Sequence, residues 1–424
     1  MRSLLAGSAA VALLGLAACG PGTREGALAA ADTSIVSLSI AFFEARLAAD
    51  PNNYPVAGRL AARYLVRFGL GADPRDAIRA EALARRLTTL APDRAEALGR
   101  LSGVLLTRHR FAEAVAVARE AVAADSGEQD AHAALFDASL ASGDYAAAEA
   151  ALATLRPGTL AGLLRRAQWL DHTGHTRGAR YAMERACRRL EASASPPAAV
   201  AWCRTELAGL VHQELGPEAA AAELRQALRV LPGYRGAVEQ SAHLAAARGN
   251  WDAAYRMYRR IATDAHPDLY LRLAESAGRL GRAGERGEWE GRFLRVASEP
   301  DQEALFGADL AWYLARRNRP GDRAAALALA RREVGRRPTG ASHDLLARVH
   351  LRHGEPEAAL AASDRALALG GSSPAVQYHR GLILRALGRL EESRALLAEA
   401  GKQPSLLPPH AWLEEDPEVA GPRS

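Results

Sequence analysis

One helix–turn–helix pattern recurs along most of this 424-residue sequence, and it restricts the possible folds more than any other feature. In residues 94–122 the first half carries Leu98, Leu101 and Leu105 at spacings typical of one helix face, and the second half carries alanines in the same way. A single helix pair cannot bury both apolar stripes, whereas stacked copies can. The pattern therefore predicts an all-α solenoid.

The residue at the turn between the two helices can be followed down the chain. Most copies have a glycine there, because glycine adopts a positive φ at little cost. The copies are spaced by about 34 residues, except at a Ser/Pro-rich insert (192–197) and an irregular unit (301–338). The turn positions are His109, Gly143, Gly174, Gly216, Gly249, Gly281, Gly354 and Gly388.

Several of these positions, with their neighbours, resemble the tetratricopeptide repeat family. The resemblance is carried by Gly143-Asp-Tyr145 with Ala148, Gly249-Asn-Trp251 with Ala254, Gly354 with Ala359 and Ala366, and the small residue Gly381. It covers residues 34–405 and implies a right-handed α-α superhelical solenoid of tetratricopeptide-type hairpins. The family is a general protein-interaction scaffold, so the resemblance implies protein binding without naming a partner.

The N-terminal residues are typical of an export signal. Residues 1–18 have a short basic start and an apolar stretch, and Leu16-Ala17-Ala18-Cys19 resembles the lipobox of bacterial lipoproteins. The resemblance implies a lipid anchor on Cys19, followed by a flexible tether over 19–33. The expected location is the cell membrane or the periplasmic face of the outer membrane, and an ordinary signal peptide cut nearby is the alternative.

The C-terminal residues 406–424 are expected to cap the last hairpin and then continue as a disordered tail. Residues 406–413 are apolar enough to cover an exposed stacking face, and acidic residues follow them at 414–418.

The charge pattern and the motifs exclude several classes of function. The chain has 54 basic and 49 acidic residues, and Lys402 is its only lysine. The arginines are scattered among carboxylates, so we expect no nucleic-acid partner. Hydrolase, phosphate-loop and zinc-protease motifs are absent from the sequence, so we expect neither an enzyme nor a cofactor.

Cysteines and histidines offer two further candidate sites. Cys187 and Cys203 each lie eight residues from Ser195, which suits a disulfide across the insert, with two buried free thiols as the alternative. The histidines at 172 and 175, and at 343, 350 and 353, are grouped, but no cysteine or carboxylate completes a zinc pattern. We therefore expect packed or solvated histidines and no metal.

The family resemblance also implies where a partner binds, namely on first-helix residues that stacking does not use. In the middle repeats these are mostly acidic, and towards the C-terminus they are arginines, so a groove with an acidic middle and a basic far end is expected; merely solvated helix faces are the alternative. The residues are Asp130, Asp137, Gln168, Asp171, His172, Glu206, Gln213, Glu214, Glu239, His243, Arg348, Arg352 and Arg385.

Two functions follow from these patterns. The first is a lipid-anchored scaffold that binds a protein of a cell-envelope complex. The second is a small-molecule or glycan-binding solenoid, in which tryptophan rings would supply stacking surfaces. Those tryptophans are Trp169, Trp202, Trp251, Trp289 and Trp312.

Overall fold

A computed structural model describes residues 29–70, 75–91, 94–193, 195–299, 302–317, 319–370 and 373–402. Across these ranges the chain forms helices and turns and no strand, which confirms the predicted all-α solenoid of helix pairs. The proposed signal peptide, Cys19 and the segment 406–424 lie outside the described residues. No helix in the described part is long and apolar enough to cross a membrane.

The helices follow one another with short turns between them. They are α1 (Ala29–Ala49), α2 (Tyr54–Gly69), α3 (Asp76–Leu90), α4 (Ala95–Thr107), α5 (Phe111–Ala124), α6 (Gln129–Ser142), α7 (Tyr145–Thr154), α8 (Leu160–His172), α9 (Thr176–Ala192), α10 (Pro197–Leu215), α11 (Pro217–Val230), α12 (Arg235–Ala247), α13 (Trp251–Ile261), α14 (Asp268–Arg279), α15 (Ala283–Ala297), α16 (Glu303–Arg317), α17 (Asp322–Arg336), α18 (Gly340–Arg352), α19 (Pro356–Ala368), α20 (Pro374–Ala386) and α21 (Leu390–Gly401).

The chain divides into two compact units. The N-terminal unit holds the described residues up to 241 together with 257–269, and the C-terminal unit holds 242–256 and those from 270 onwards. In the N-terminal unit α2/α3, α4/α5, α6/α7, α8/α9 and α10/α11 pair, and the first helices α4, α6 and α8 stack in succession. In the C-terminal unit α16/α17, α18/α19 and α20/α21 pair, and α16, α18 and α20 stack.

The predicted turn residues are confirmed by the backbone. Each of the seven predicted turn glycines has a positive φ, and His109 is the one non-glycine residue with a positive φ, 54°, in the described part of the chain. Its imidazole stacks on Phe111 at 5.3 Å between ring centroids. This packing helps to hold the backbone of His109 in the left-handed conformation, which costs a non-glycine residue about 1 kcal/mol. The irregular unit turns at Gly321, with φ of 85°.

The core of each pair is built from small residues around a few large ones. In one cluster Phe136 of α6 packs on Ala148 and Ala151 of α7, with Trp169 of α8 at its edge. A buried methyl group contributes only about 0.8 kcal/mol. Stability therefore accumulates over many alanine contacts along the stack rather than at one large core.

The helix boundaries differ from the sequence prediction mainly at the start. α1 begins at Ala29, five residues before the predicted start at 34, so the end of the predicted tether is helical. The stop at Asp50–Asn53 and the helices predicted for 54–68 and 77–90 agree with the structure to within one residue. Pro157 follows a short α7 of 10 residues, where α5 has 14.

A disulfide joins α9 to α10 across the Ser/Pro insert. Cys187 and Cys203 have Cα atoms 5.5 Å apart, and both side chains are fully buried. The Sδ of Met183 lies 3.8 Å from the Sγ of Cys203. The bond therefore connects the pair α8/α9 to the pair α10/α11.

Lys402 lies just beyond α21. It is exposed and forms an ion pair with Glu399, three residues earlier.

Candidate partner-binding surface

At least three of the six acidic residues predicted to line the groove form ion pairs with arginines within the protein. The clearest case is Asp137 on α6, which receives two hydrogen bonds from Arg165 on α8 at 3.1 and 2.6 Å. The two side chains are only 10% and 7% exposed. Burial raises the pKa of Asp137, and Arg165 opposes that effect. Asp137 thus connects two first helices, and it can contact a partner protein only if its ion pair with Arg165 is broken.

Two further predicted carboxylates have arginine partners. Glu214 on α10 accepts from the Nε of Arg180 on α9 at 2.7 Å, so it faces the preceding pair rather than an open surface. Glu239 on α12 accepts from Arg235, one turn earlier on the same helix, at 2.8 Å. The spacing of four residues between Arg235 and Glu239 could have indicated their pairing, whereas the pairing of Arg180 with Glu214 depends on how neighbouring helices are rotated.

Asp171 on α8 and Glu206 on α10 form an acidic pair on neighbouring first helices. Both are half-buried. Burial raises the pKa of Glu206 to about 7, and the negative charge of Asp171 contributes to the increase. Glu206 therefore carries only part of its charge near neutral pH, so the acidic middle of the predicted groove is weaker than the sequence indicates.

The other predicted residues of the middle repeats differ in their accessibility. Asp130 is exposed at the start of α6, whereas Gln168 and Gln213 are half-buried. The ring of His172 packs on that of Tyr145 at 4.2 Å between centroids, so it contributes to packing. In the C-terminal unit, burial lowers the pKa of His243 to about 3, and the charge of Arg272 adds to this effect, so His243 is neutral.

A buried chain of contacts crosses three first helices of the C-terminal unit. The guanidinium of Arg348 on α18 lies 4.6 Å from the ring centre of Trp312 on α16, and its Nε is 3.3 Å from Asp344. The Nδ1 of His379 on α20 lies 3.0 Å from both carboxylate oxygens of Asp344 and donates to them. Burial acts to raise the pKa of Asp344, but His379 and Arg348 lower it overall. Arg348 is thus buried and has contacts within the protein, and its predicted place in the groove stays a prediction.

Two arginines on the same helices are exposed. Arg352, one of the residues predicted for the groove, follows Arg348 by one turn on α18, and Arg316 follows Trp312 by one turn on α16. Sequence analysis missed Arg316 because it lies in the irregular unit, where the repeat register was not followed. Arg385 on α20 is half-buried.

The five tryptophans considered for glycan stacking are not exposed. Trp202 is buried, and the other four are half-buried. Their faces contact other side chains: the ring of Trp289 stacks on Tyr270, and Arg279 lies over Trp251. These tryptophans therefore form no open aromatic surface in the described part of the chain.

Two of the histidines grouped at 343, 350 and 353 are buried. His350 lies with its Nδ1 2.6 Å from Glu355, and the ring of His353 is buried. No group of three or more His, Cys, Asp or Glu side chains is placed to hold a metal ion within the described ranges.

Comparison with known proteins agrees with the repeat pattern over one part of the chain. Residues 105–159, from the end of α4 to the loop after α7, match the tetratricopeptide repeat family. No curated protein matches the chain.

Several solved structures are similar in outline, with low sequence identity. A human IFIT1 dimer with PPP-AAAA is 14% identical over 75% of this chain and 73% of that chain, with a TM-score of 0.47. Yeast Tom70 is 13% identical, with coverage of 88% and 89% and a TM-score of 0.39. Pseudomonas aeruginosa pilF is 15% identical, with coverage of 49% and 95% and a TM-score of 0.37. What the comparisons add is a tetratricopeptide-type repeat in residues 105–159, within a chain built as a series of helix pairs.

Proposed function

We propose that this protein is a non-enzymatic scaffold that binds a partner protein on the exposed faces of its first helices. The observation that carries this proposal is that small apolar residues pack inside a helix pair, as in α6/α7, while charged first-helix residues such as Asp130, Arg316 and Arg352 remain exposed. Repeated pairs of this kind present an extended surface suited to a peptide or a helix.

The proposal includes a lipid anchor on Cys19 in a bacterial cell envelope, which rests on the lipobox-like sequence. The test is metabolic labelling with a fatty-acid probe in a bacterial host, followed by membrane fractionation. We expect the wild-type chain to carry the label and the Cys19→Ala variant to lose it together with its membrane association. Equal labelling of both chains would contradict the anchor.

Partner binding is tested by cross-linking in membranes and capture of the tagged chain. We expect a specific partner, and we expect its recovery to fall when the acidic pair is neutralised by Asp171→Asn with Glu206→Gln. Glu120→Gln with Glu149→Gln is the matched control, because both glutamates are exposed on second helices. Asp137 is left unchanged, since its loss would break the ion pair with Arg165. Equal recovery from all three chains would remove the acidic pair from the binding surface.

The glycan-binding alternative requires exposed tryptophan rings aligned in one groove, and the five candidate tryptophans are not exposed in the structure. The half-buried and buried positions of Trp169, Trp202, Trp251, Trp289 and Trp312 favour a packing role for these rings.

A further inference from the structure

Helix α1 presents an apolar stripe to the outside at the N-terminal end of the helix pairs. The helix packs on α2, with Val36 and Ile40 buried. Leu38 and Phe42, one turn apart, are instead 71% and 54% exposed. Three exposed alanines continue the same stripe along the helix. We call this stripe the outer face of α1, and its residues are Leu38, Ala41, Phe42, Ala45 and Ala49.

The rest of α1 is also poor in charge. Only Asp32, Glu44 and Arg46 are charged among its 21 residues, and Glu44 accepts a hydrogen bond from the hydroxyl of Tyr64 on α2. A helix that is apolar nearly all round is typical of a helix that is covered on more than one side. Because α2 covers one side of α1, the outer face is suited to a second cover.

Exposed apolar side chains are concentrated at this end of the protein. In the part of the chain that the structure describes, eight large apolar side chains are exposed, and half of them lie on α1 and α3. These four are Leu38, Phe42, Ile78 and Leu90. An open groove of about 470 Å³ between the two helices adds Leu47 and Ala82 to the apolar surface. The first three helices, which follow the proposed anchor, thus carry most of the exposed apolar surface.

We propose that the outer face of α1 lies on the lipid bilayer, with Leu38 and Phe42 inserted at the boundary between headgroups and acyl chains. This inference rests on the proposed lipid anchor and adds the surface that the anchored chain turns towards the membrane. Cys19 precedes Ala29 by ten residues, which reach at most about 36 Å. The anchor would therefore hold α1 beside the bilayer at a high effective concentration, so that even a weak contact is populated.

The side chains beside the outer face match the chemistry of a bilayer surface. The guanidinium of Arg46 lies 5.6 Å from the ring centre of Phe42. When the ring enters the apolar layer, the long side chain of Arg46 can keep its charge at the level of the lipid phosphates. Arg86, which is exposed, lines the groove between α1 and α3 in the same apolar surroundings. Apolar tips beside cations are typical of helices that lie in a membrane interface.

Two other covers fit the outer face less well. A protein interface of standard size uses about 20–30 residues on each side, whereas the outer face has five, three of them alanines. A segment of the same chain is the other possibility. In 20–28, between Cys19 and α1, Leu28 is the one large apolar residue, so an anchored chain supplies little to cover the face.

The test uses the lipidated chain reconstituted in vesicles of phosphatidylethanolamine and phosphatidylglycerol. Ala45→Cys provides one thiol for an NBD dye, because Cys19 would be acylated and Cys187 and Cys203 are bonded to each other. We expect nitroxide-labelled lipids to quench this dye at least about twice as strongly as a dye on Arg59→Cys. Arg59 is the near control, since it is exposed on α2. Equal quenching at the two positions would mean that the chain is only close to the bilayer, and would overturn the proposal.

A second pair of variants tests the inserted side chains. Leu38→Ser with Phe42→Ser is expected to lower the quenching at residue 45 to that at residue 59, while the anchor keeps the chain on the vesicles. The matched control is Leu215→Ser with Val230→Ser, which removes exposed apolar side chains from α10 and α11 and should leave the quenching unchanged. Full quenching in the Leu38→Ser/Phe42→Ser chain would contradict insertion. Circular dichroism establishes that the helices of each variant are intact.

The same dye distinguishes the other covers. A dye at residue 45 that is shielded from aqueous iodide, yet is not quenched by nitroxide lipids, would be covered by protein. Shielding that increases with the density of protein on the vesicles would assign the cover to a second copy, and shielding that does not would assign it to the same chain. Either result overturns the proposal.

Failure of this inference can be told apart from failure of the proposed anchor. Mass spectrometry of the purified chain shows whether Cys19 carries fatty acid. If it does, and the dyes at 45 and 59 are quenched equally, the anchor stands and the outer face of α1 is not a membrane contact. If Cys19 carries no fatty acid, the anchor fails and this inference fails with it.

Discussion

The buried ion pair between Arg165 and Asp137 stabilises the fold only while both partners are present. Arg165→Met leaves the Asp137 carboxylate buried at 10% exposure without its partner. We expect the free energy of unfolding in urea to fall by about 3 kcal/mol. Arg166→Met is the control, because Arg166 is the exposed neighbour on the same helix, and its loss should cost less than about 0.5 kcal/mol. Equal stabilities of the two variants would show that the buried pair contributes little.

Glu206 should make stability depend on pH in a defined direction. Its pKa is about 7 in the folded chain, above the ordinary value of 4.5. Below pH 4.5 Glu206 is therefore protonated in both the folded and the unfolded chain, and folding buries no charge there. As pH rises from 4.5 to 7 the folded state holds the proton more tightly than the unfolded state, and stability is lost. Partial solvent access limits the loss to about 1–2 kcal/mol.

Glu206→Gln should remove this dependence. The variant is expected to match the wild type at pH 4.5 and to be the more stable protein at pH 8, as measured by urea unfolding at both values. A difference between the two proteins that is the same at pH 4.5 and pH 8 would contradict the assignment to Glu206.

The sequence could not predict which side chain on another helix each charged residue pairs with inside the protein. Asp137 and Arg165 are 28 residues apart, and Arg180 and Glu214 are 34 apart. A repeat period identifies which residues lie at equivalent positions, but small helix rotations decide which of them meet. The predicted acidic groove therefore contains residues whose charges are already compensated, while Arg316, in the irregular unit, was missed.

The first turn of helix α8 contains a glycine, Gly162, that a larger residue cannot replace. A Cβ on Gly162 would lie 2.2 Å from the carbonyl oxygen of Arg156, in the loop after α7. The Gly162 amide also donates to the side chain of Thr159, which caps the helix, at 3.1 Å. We expect Gly162→Ala to lower the melting temperature and to reduce the free energy of unfolding by at least about 2 kcal/mol, because the backbone must move to relieve the overlap.

Gly209→Ala on α10 is the matched substitution. A Cβ there meets nothing within 4 Å, so the change should stabilise the helix by about 0.5–1 kcal/mol. Losses of similar size in both variants would show that helix propensity, and not the contact with Arg156, governs these positions.

At the scale of helices the sequence was a good guide, since apolar periodicity and turn chemistry act locally. The stop at Asp50–Asn53, the turn glycines and the short α7 before Pro157 all follow from residues within a few positions. The start of α1 was misplaced: Asp32 and Thr33 are residue types that favour a helix N-cap and so agree with a start at 34, whereas the helix begins at Ala29.

Across the whole molecule, stability should be distributed through couplings between neighbouring repeats. The disulfide between Cys187 and Cys203 strengthens one coupling, that between α8/α9 and α10/α11, by about 3 kcal/mol. We expect refolding under reducing conditions to speed amide hydrogen exchange in α8–α11 and to leave α16–α21 unchanged, because a stack of repeats transmits stability mainly to neighbours.

Mass spectrometry of deuterated peptides measures this directly. The Cys187→Ala/Cys203→Ala chain should exchange at the same rate with and without reductant, which controls for effects of the reductant itself. Faster exchange throughout α1–α21 after reduction would mean that the chain unfolds as a single cooperative unit.

The fold class was predictable at this scale, whereas the partner surface was only partly so. Repetition makes a solenoid the one arrangement that buries every apolar stripe, so the same evidence recurs in each copy. The charge at one position, in contrast, does not recur in the other copies, so the sequence gives only one observation for each position. Arg348 and Arg352 are one turn apart on α18, yet the first is buried against Trp312 and Asp344 and the second is exposed.

Lys402 gives experimental access to one end of this stack. Because every other basic side chain is arginine, a lysine-specific endoprotease has a single cleavage site in the 424-residue chain, on the exposed residue that follows α21. Cutting there separates 403–424, with Trp412 and the acidic residues 414–418, from all twenty-one helices without any mutation. The same amine accepts one dye molecule on a side chain, which places a defined fluorescent reporter beside the last helix pair.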